Sequence, residues 1–336
     1  MSASILCFGE VLLRLSAPGK QLLLQGGGGL ETHVGGAEAN VAVALSRWGH
    51  TAAVATTLPD NALGQGSRDE LRRHGVNTSA IRFRSGRMGL YFLTHGAGQR
   101  PAEVLYDRAN SAFAREVADH DWNQLLTGMR WLHVSGITPA VSDAAAQAAL
   151  AAAQAAQACG VQVSFDCNFR ASLWSGREKH AATVLRNLCA QAHLIFGDDR
   201  DISLILGREF DGELTARRRA AAQAAFDAFP SLQWLANTRR DALAEAQELG
   251  GTLYTRTQQL DSRKYALNGV VDRIGAGDAF AAGILHGLLT GMEPQATVEF
   301  ATAACTLKHF IVGDFNLASV EDVERLLAGV ATDVRR

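Results

Sequence analysis

Two junctions, each leading from glycines into an apolar helix, carry the side chains best suited to chemistry. The later one, residues 272–278, reads Asp-Arg-Ile-Gly-Ala-Gly-Asp and places Asp278 at the predicted start of a helix. Glycine lets the backbone approach a ligand closely, and the free N–H groups of a first helical turn attract anions. A carboxylate there can accept a hydroxyl proton while the helix start holds developing phosphate charge, which suits phosphoryl transfer. An ordinary helix cap at Asp278 is the simple alternative.

The earlier junction, residues 35–40, reads Gly-Gly-Ala-Glu-Ala-Asn. Gly35, Gly36 and Ala37 are small enough to leave room for a ligand, and Asn40 offers both a donor and an acceptor to a polyol. A glycine-rich turn with an ordinary cap is again the alternative. Two such junctions in one chain favour a binding site.

Composition and charge exclude several classes of protein. The chain has 336 residues, of which 47% are hydrophobic, and a net charge of −2. These values are typical of a globular protein with a sizeable core and not of a disordered or fibrous one. Because the basic residues are scattered, we expect no nucleic-acid partner and no membrane surface as a partner.

The cysteines indicate the compartment. There are five, widely spaced and without a Cys-x-x-Cys pair, which predicts free thiols in a reducing environment. The chain opens directly into an apolar, strand-like run, and no apolar run reaches the length of a membrane span. We therefore expect a cytoplasmic protein.

Apolar runs alternate with helix-like stretches along most of the chain, which predicts an α/β fold with a mostly parallel central sheet flanked by helices. Two stretches, about 13–36 and 86–112, break this alternation, and we assign them to a small β-sheet lid. The expected organisation is a single α/β domain over residues 1–336. Its ligands should bind at the carboxyl edge of the sheet, where the lid can cover them.

Taken together, the two junctions resemble the two signatures of the ribokinase-like (PfkB-type) carbohydrate kinases, in the same order and about 240 residues apart. The resemblance extends from Phe8 to about Leu326. Segments 106–112, 166–170 and 308–316 look most like those of the 2-keto-3-deoxygluconate kinases. That subgroup implies ATP-dependent phosphorylation of 2-keto-3-deoxygluconate (2-dehydro-3-deoxy-D-gluconate) at its C6 hydroxyl, giving 2-keto-3-deoxy-6-phosphogluconate in sugar-acid catabolism.

The resemblance also implies roles for residues on the acceptor side. Asp278 is the expected base, and the amides of the preceding residues form the expected anion hole with Arg170 near the transferred phosphate. Arg108 is expected to pair with the carboxylate of the acid, although a surface ion pair with Asp107 is an alternative, as is a salt bridge for Arg170. The full set of expected catalytic and substrate-binding residues is Gly35, Gly36, Ala37, Asn40, Tyr91, Tyr106, Arg108, Arg170, Gly275, Ala276, Gly277, Asp278 and Asp314.

On the nucleotide side the resemblance implies ATP with Mg²⁺ and leaves a monovalent cation open. The family's Asn-x-x-Glu is replaced by Asp-Asp-Arg-Asp at residues 198–201, of which Asp198 and Asp201 are expected to hold Mg²⁺ through water. Its Thr-x-Gly-x-x-Gly is replaced by residues 237–240. A loop cap is an alternative for Asn316. The expected nucleotide-binding residues are Asn168, Asp198, Thr238, Arg239, Gly275, Ala276, Gly277 and Asn316.

Other functions fit parts of the same pattern. A kinase of this family for a neutral sugar (fructose, ribose or tagatose) or a nucleoside would not need the cations Arg108 and Arg170. A non-catalytic sugar-acid-binding protein would not need Asp278, and a purely structural module would need neither junction. Because the lid has free strand edges, we also expect a homo-oligomer, a dimer formed through the lid.

Overall fold

The computed structural model describes residues 4–25, 28–117, 120–242 and 247–329. Gly26 and Gly27, inside the predicted lid, lie outside these residues. The strands are β1 (Ser4–Phe8), β2 (Leu12–Ser16), β3 (Glu31–Gly35), β4 (Thr51–Pro59), β5 (Ile81–Arg84), β6 (Leu90–Thr94), β7 (Glu103–Asp107), β8 (Trp131–Ser135), β9 (Gln162–Asp166), β10 (Leu194–Phe196), β11 (Trp234–Ala242), β12 (Gln247–Thr255), β13 (Gln259–Asp261) and β14 (Tyr265–Ala266).

The helices lie mainly between consecutive strands and after the last one. They are α1 (Ala37–Arg47), α2 (Ala62–Arg73), α3 (Ala112–Arg115), α4 (Trp122–Leu126), α5 (Ile137–Val141), α6 (Asp143–Ala158), α7 (Glu178–Cys189), α8 (Asp199–Leu206), α9 (Leu214–Ala228), α10 (Ala276–Thr290), α11 (Pro294–Lys308) and α12 (Val320–Leu327). Among the described residues, no helix combines the length and apolarity that crossing a membrane requires.

The large sheet runs in the order β13-β12-β11-β10-β9-β8-β1-β4-β5, with β14 also paired to β12. Pairing is parallel from β11 to β5 and antiparallel from β11 to β14. The predicted α/β class with a mostly parallel sheet is therefore confirmed. Parallel strands place their carboxyl ends on one edge, and the polar residues that follow β9 and β10 gather there.

Both faces of the large sheet are covered, which explains the continuous apolar run of β1. Ile5 and Cys7 point to a core shared with α1, α10 and α11, whereas Leu6 and Phe8 point to a core shared with α6, α7 and α9. Strands buried on both faces need apolar residues at every position. Alanines of α6 provide a flat, buried surface against the second face.

A separate four-stranded sheet, in the order β3-β2-β6-β7, forms the small layer expected from the sequence. Its central strands β2 and β6 pair in parallel although about 75 residues separate them, with Leu13 opposite Leu90. Leu12, Tyr91 and Leu93 form its own apolar cluster, on which Tyr106 and Ile274 pack. Through Ile274 the small sheet rests on the loop that leads into α10.

One part of the large sheet differs from expectation. The apolar residues of the sequence favour a short strand at 232–236 and separate extended pieces from Thr252. In the structure, β11 and β12 are instead two nine-residue strands paired as an antiparallel hairpin. Two polar residues of β11 face glycines across the ladder, Thr238 opposite Gly251 and Arg239 opposite Gly250. The hydrophobic pattern could not reveal a strand of this composition.

Candidate active site

A cavity of about 660 Å³ opens at the carboxyl edge of the large sheet and is lined on one side by the small sheet. The ends of β9 and β10 and the junctions that begin α1 and α10 contribute the other walls. The sequence-predicted residues that line it are Gly36, Ala37, Asn40, Tyr91, Tyr106, Arg108, Asn168, Arg170, Asp198, Asp201, Gly275, Gly277, Asp278 and Asp314. The two glycine-to-helix junctions therefore face one space.

Asp278 and Asn40, 238 residues apart, meet in this cavity. The Asn40 side-chain amide donates a hydrogen bond of 2.6 Å to Asp278 Oδ2. The N-cap of α10 is Gly275, so Asp278 lies inside the first turn and the simple cap alternative is wrong. Surrounding protein desolvates the carboxyl and raises its pKa to about 7, against the opposing effect of the Asn40 hydrogen bond. A carboxyl with this pKa can act as a base near neutral pH.

The loop before Asp278 requires glycine at one position. Gly275 has φ 77°, and a Cβ there would stand 1.9 Å from the Asp314 carbonyl oxygen. Gly275 and Gly277 line the cavity, as expected of an anion hole, whereas Ala276 is buried and its amide donates to the Arg273 carbonyl at 3.3 Å. The anion-hole role of the three residues stays a prediction.

The first junction, residues 35–40, also packs too closely against neighbouring backbone to allow a side chain at one of its glycines. Gly36 has φ 142°, and a Cβ on it would stand 2.4 Å from the Glu10 carbonyl oxygen. Gly35 packs against the Asp314 carboxylate and does not line the cavity. Glu38 is buried under α1, where its Oε1 accepts hydrogen bonds from Ser135 and Thr138. This junction is thereby anchored to the ends of the large sheet's strands.

A buried network that sequence reasoning missed ties the small sheet to the site. Arg14 of β2 has no exposed surface, and its Nη1 lies 2.8 Å from Asp272 Oδ2 and 3.2 Å from Asp314 Oδ1. Tyr91 of β6 donates its hydroxyl hydrogen to Asp314 Oδ2 at 2.6 Å. Burial raises the pKa of Asp314 to about 6, although the Arg14 charge opposes the shift. A charged residue between apolar neighbours in β2 was the available signal for Arg14.

Arg108 lines the cavity but already has a protein partner. Its Nε donates to Glu10 Oε2 at 2.7 Å, and Nη2 lies 2.5 Å from the same oxygen, with both side chains buried. Asp107 pairs instead with Arg87, so the surface ion pair between Asp107 and Arg108 is not formed. Glu10, which the sequence analysis did not select, therefore holds the predicted substrate-binding arginine in place.

The end of β9 brings three polar side chains into the cavity. Asn168 has φ 34°, and its backbone N–H donates a hydrogen bond to Asp166 Oδ1 at 3.1 Å. Arg170 is exposed to the cavity, and its charge lowers the pKa of Asp166, Asp201 and Asp278 against stronger opposing effects. Burial, followed by repulsion from Asp278 and Asp201, raises the pKa of Asp166 to about 8. Acidic side chains are therefore crowded here and resist ionising together.

Asp198 and Asp201 have a structural role as well as a place in the cavity wall. Asp198 is the N-cap of α8, its Oδ1 accepts from the amides of Arg200 and Asp201, and Asp201 Oδ2 accepts from the Asp198 amide. Burial raises the pKa of Asp201 to about 6. Within the described ranges, no group of three acidic, histidine or cysteine side chains is arranged to hold a metal ion.

The nucleotide-side residues are only partly brought together. Thr238 and Arg239 are not among the residues that line the cavity, while Arg240 and Arg273 are. Arg240 Nη2 lies 3.4 Å from His309 Nε2, and burial lowers the pKa of His309 to about 4, so this imidazole is neutral and can accept. Asn316 is buried and its Oδ1 accepts from the Ala318 amide at 3.2 Å, the loop-cap arrangement that was its alternative.

Arg240 and Arg273 were missed for a simple reason. Arg240 directly follows the predicted Arg239 in β11, where alternate side chains point to opposite faces, so an error of one residue selects the wrong face. Burial, followed by the charge of Arg240, lowers the pKa of Arg273. Two arginines close enough to repel each other are suited to an anion between them.

The chain is similar to known carbohydrate kinases over most of its length. The family model described as pfkB family carbohydrate kinase matches residues 2–313. A curated relative, the 2-dehydro-3-deoxygalactonokinase of Haloferax volcanii, is 32% identical over 330 residues, which is 98% of each chain.

Two solved structures show the same fold over nearly the whole chain. The 2-dehydro-3-deoxygluconokinase of Thermotoga maritima superposes with a TM-score of 0.91 at 36% identity, covering 97% of this chain and 100% of that one. The fructokinase of Xylella fastidiosa with bound ATP gives 0.77 at 25% identity, covering 98% and 99%. The ribokinase-like fold is thus confirmed, and the chain belongs to the PfkB family of carbohydrate kinases.

Proposed function

We propose that the protein transfers the γ-phosphoryl group of ATP to the C6 hydroxyl of 2-keto-3-deoxygluconate, giving 2-keto-3-deoxy-6-phosphogluconate. The observation that carries the proposal is the Asp278 carboxyl, which has a pKa near 7 and a hydrogen bond from Asn40 in a cavity that also holds arginines. Relatives named for phosphorylating 2-keto-3-deoxy sugar acids support the choice of acceptor.

Asp278 is the proposed base. In its ionised form the carboxylate accepts the proton of the attacking hydroxyl, and the Asn40 hydrogen bond fixes the direction in which its oxygens face. The amides around Gly275 and Gly277, at the start of α10, stabilise the charge of the transferred group. Arg170 lines the same cavity and adds a positive charge close enough to lower the pKa of Asp278.

The acceptor's carboxylate is the proposed ligand of Arg108. Two guanidinium nitrogens engage Glu10, and the group has five N–H donors, so donors remain for a carboxylate in the cavity. Because Glu10 holds the guanidinium rigidly, little conformational freedom is lost when the acid binds. Tyr91, Tyr106 and Asp314 line the same side and can bind hydroxyl groups.

The nucleotide side is proposed to bind ATP with Mg²⁺. The carboxylates of Asp166, Asp198 and Asp201 line one end of the cavity, and their desolvation and mutual repulsion make a divalent cation favourable there. These residues fit Mg²⁺, which proteins often hold through one or two carboxylates, waters and substrate phosphates. Bound there, Mg²⁺ would neutralise phosphate charge, while Arg240 and Arg273 bind phosphate oxygens directly. A monovalent cation is a further, open part of the proposal, to be checked by titrating potassium chloride.

Assembly and compartment complete the proposal. Four exposed apolar side chains lie on or beside the small sheet: Leu22, Leu24, Val104 and Leu105. A dimer through the lid would bury them, which supports that assembly. Light scattering tests this assembly by measuring whether the mass in solution is that of a dimer. The five cysteines, all within the described residues, are free thiols, which supports the cytoplasm, and fractionation of cells tests it.

A coupled assay of ATP consumption tests the acceptor. The panel contains both C4 epimers of the 2-keto-3-deoxy acid, gluconate, fructose, ribose, tagatose and adenosine, and the Asp278→Asn variant purified in parallel reports any contaminating kinase. We expect the highest kcat/KM with a 2-keto-3-deoxy acid. Turnover of fructose, ribose, tagatose or adenosine but of no acid would contradict the acceptor. Tight binding of the acid by calorimetry without turnover would indicate a binding protein instead.

A further inference from the structure

Lys308, the last residue of α11, is a fully buried cation that lies behind the loop leading into Asp278. Its side chain has no exposed surface, and its Nζ donates to the Ile311 carbonyl at 2.9 Å. Its Cε lies 3.3 Å from the place where a Cβ on Gly275 would stand. Lys308 is not among the residues that line the cavity, so it approaches the loop from the protein side.

A buried ammonium is costly unless nearby charges compensate it. Asp272, Asp314 and Asp278 do so for Lys308, against the desolvation that lowers its pKa. Arg14, by contrast, is already 2.8 Å from Asp272 and 3.2 Å from Asp314. The charged and titratable groups that face Lys308 from the surrounding elements are Asp272, Asp278, Asp314, Arg14, His309 and Cys305.

The carboxylates among these groups leave the site with too little positive charge to balance an arriving phosphoryl group. Three carboxylates lie around the Gly275 loop, and the transferred group adds negative charge at Gly275 and Gly277. Arg170 approaches from the cavity and is exposed to solvent, which weakens its effect. Lys308, like Arg14, is a cation in dry protein, where a charge acts most strongly, and its Cε is the part that reaches the Cβ position of Gly275.

We infer that Lys308 is a positioning residue for phosphoryl transfer, whose buried ammonium stabilises the negative charge that gathers at Gly275 and Gly277. This inference rests on the proposed kinase activity but not on the identity of the acceptor. The hydrogen bond to Ile311 also holds the loop that carries Asp314, whose carbonyl contacts Gly275. Because Lys308 itself supplies the positive charge behind Gly275, the wild-type protein needs no small cation from solution at that position. A variant that lacks the lysine ammonium should gain activity when a small cation is added.

Three substitutions test this role: Lys308→Met, Lys308→Arg and Lys308→Ala, with Lys179→Met on the exposed side of α7 as the matched control. We expect Lys308→Met to lower kcat roughly 10- to 100-fold, less than the roughly 10²- to 10³-fold for losing a donor that touches the reacting group, because Lys308 acts through the loop. The effect on KM for the acceptor should be smaller. Lys308→Arg should retain more activity. Ammonium chloride should raise the kcat of Lys308→Ala above its value in equimolar sodium chloride and leave the wild type and Lys179→Met unchanged.

A pH profile separates this role from a merely structural one. Removing a positive charge near a carboxyl raises its pKa, so the acid limb of kcat for Lys308→Met should move to higher pH. Folded Lys308→Met with kcat close to wild type, or Lys308→Ala without ammonium rescue and with an unmoved pH profile, would overturn the inference. So would failure of all three variants to fold, which would make Lys308 a structural residue.

The two proposals fail in different ways. All variants are compared with the wild type on whichever acceptor the wild type phosphorylates. Wild-type turnover of a neutral sugar alone contradicts the proposed acceptor and still allows the Lys308 comparison. A wild type that phosphorylates no acceptor in the panel overturns both.

Discussion

The proposed acceptor side and the proposed nucleotide side of the cavity are built differently. On the acceptor side, the important groups are paired within the protein: Asn40 with Asp278 at 2.6 Å, Tyr91 with Asp314 at 2.6 Å, and Arg108 with buried Glu10. On the nucleotide side, exposed Arg240 and Arg273 repel each other, and Asp166 and Asp201 have raised pKa values.

This difference indicates which interactions exist before ligands bind. Groups with protein partners keep their geometry in the free enzyme, which is what orientation of an acceptor requires. Groups that repel one another gain further stabilisation when oppositely charged ligands arrive, such as phosphates and a metal ion. Substitutions should therefore affect catalysis on the acceptor side and nucleotide affinity on the other.

The largest effect is expected at the acceptor side's base. Asp278→Asn keeps the size of the side chain but cannot accept the proton, so kcat should fall by about 10²- to 10⁴-fold. Acceptor affinity, measured by calorimetry, should change little, because the remaining pairs of that side are intact. Steady-state kinetics with Asp227→Asn, an exposed acid of α9, provide the control.

Near-wild-type turnover by Asp278→Asn would remove the base assignment. Loss of both turnover and acceptor affinity would instead show that the Asn40–Asp278 contact is needed to form the acceptor side at all.

The second effect is the pH dependence of the same carboxyl. Its pKa is raised to about 7, and only the ionised form accepts a proton, so kcat/KM should fall about tenfold per pH unit below that value. Asp166, with a pKa of about 8, interacts with Asp278, so the measured value belongs to the pair. A profile that stays flat down to pH 5 would contradict the burial of the base.

Sequence reasoning succeeded where the information is local. A glycine-to-helix junction can be recognised within a few residues, and both junctions line one cavity. The parallel sheet followed from alternating apolar runs, because its strands are buried on both faces. The separate small sheet followed from the two interruptions of that alternation.

The missed residues are those whose environment depends on distant parts of the chain. Arg14 has its partners Asp272 and Asp314 about 260 and 300 residues away, so its apolar neighbours in β2 indicate burial but not the carboxylates that compensate its charge. Lys308 resembles an ordinary basic residue at a helix end, which usually serves the helix dipole. Glu10, just before β2, likewise meets Arg108, just after β7, through the pairing of β2 with β6 and of β6 with β7.

The smallest effect is expected at the nucleotide side, where two neighbouring arginines of β11 provide a matched comparison. Arg240 lines the cavity and Arg239 does not, although the sequence pattern favoured Arg239. Losing a charge-assisted hydrogen bond costs about 1.5–3 kcal/mol, so Arg240→Gln should raise KM for ATP roughly 10- to 100-fold. Arg239→Gln should stay near wild type, and kcat at saturating ATP should change little in either variant. Steady-state kinetics at varied ATP measure both.

The opposite order, with Arg239→Gln raising KM for ATP more than Arg240→Gln, would return the phosphate contact to Arg239. It would mean that the hairpin of β11 and β12 turns its other face to the nucleotide. A fall in kcat as large as that of Asp278→Asn would remove the distinction between the two sides, because Arg240 would then act on the transferred group itself.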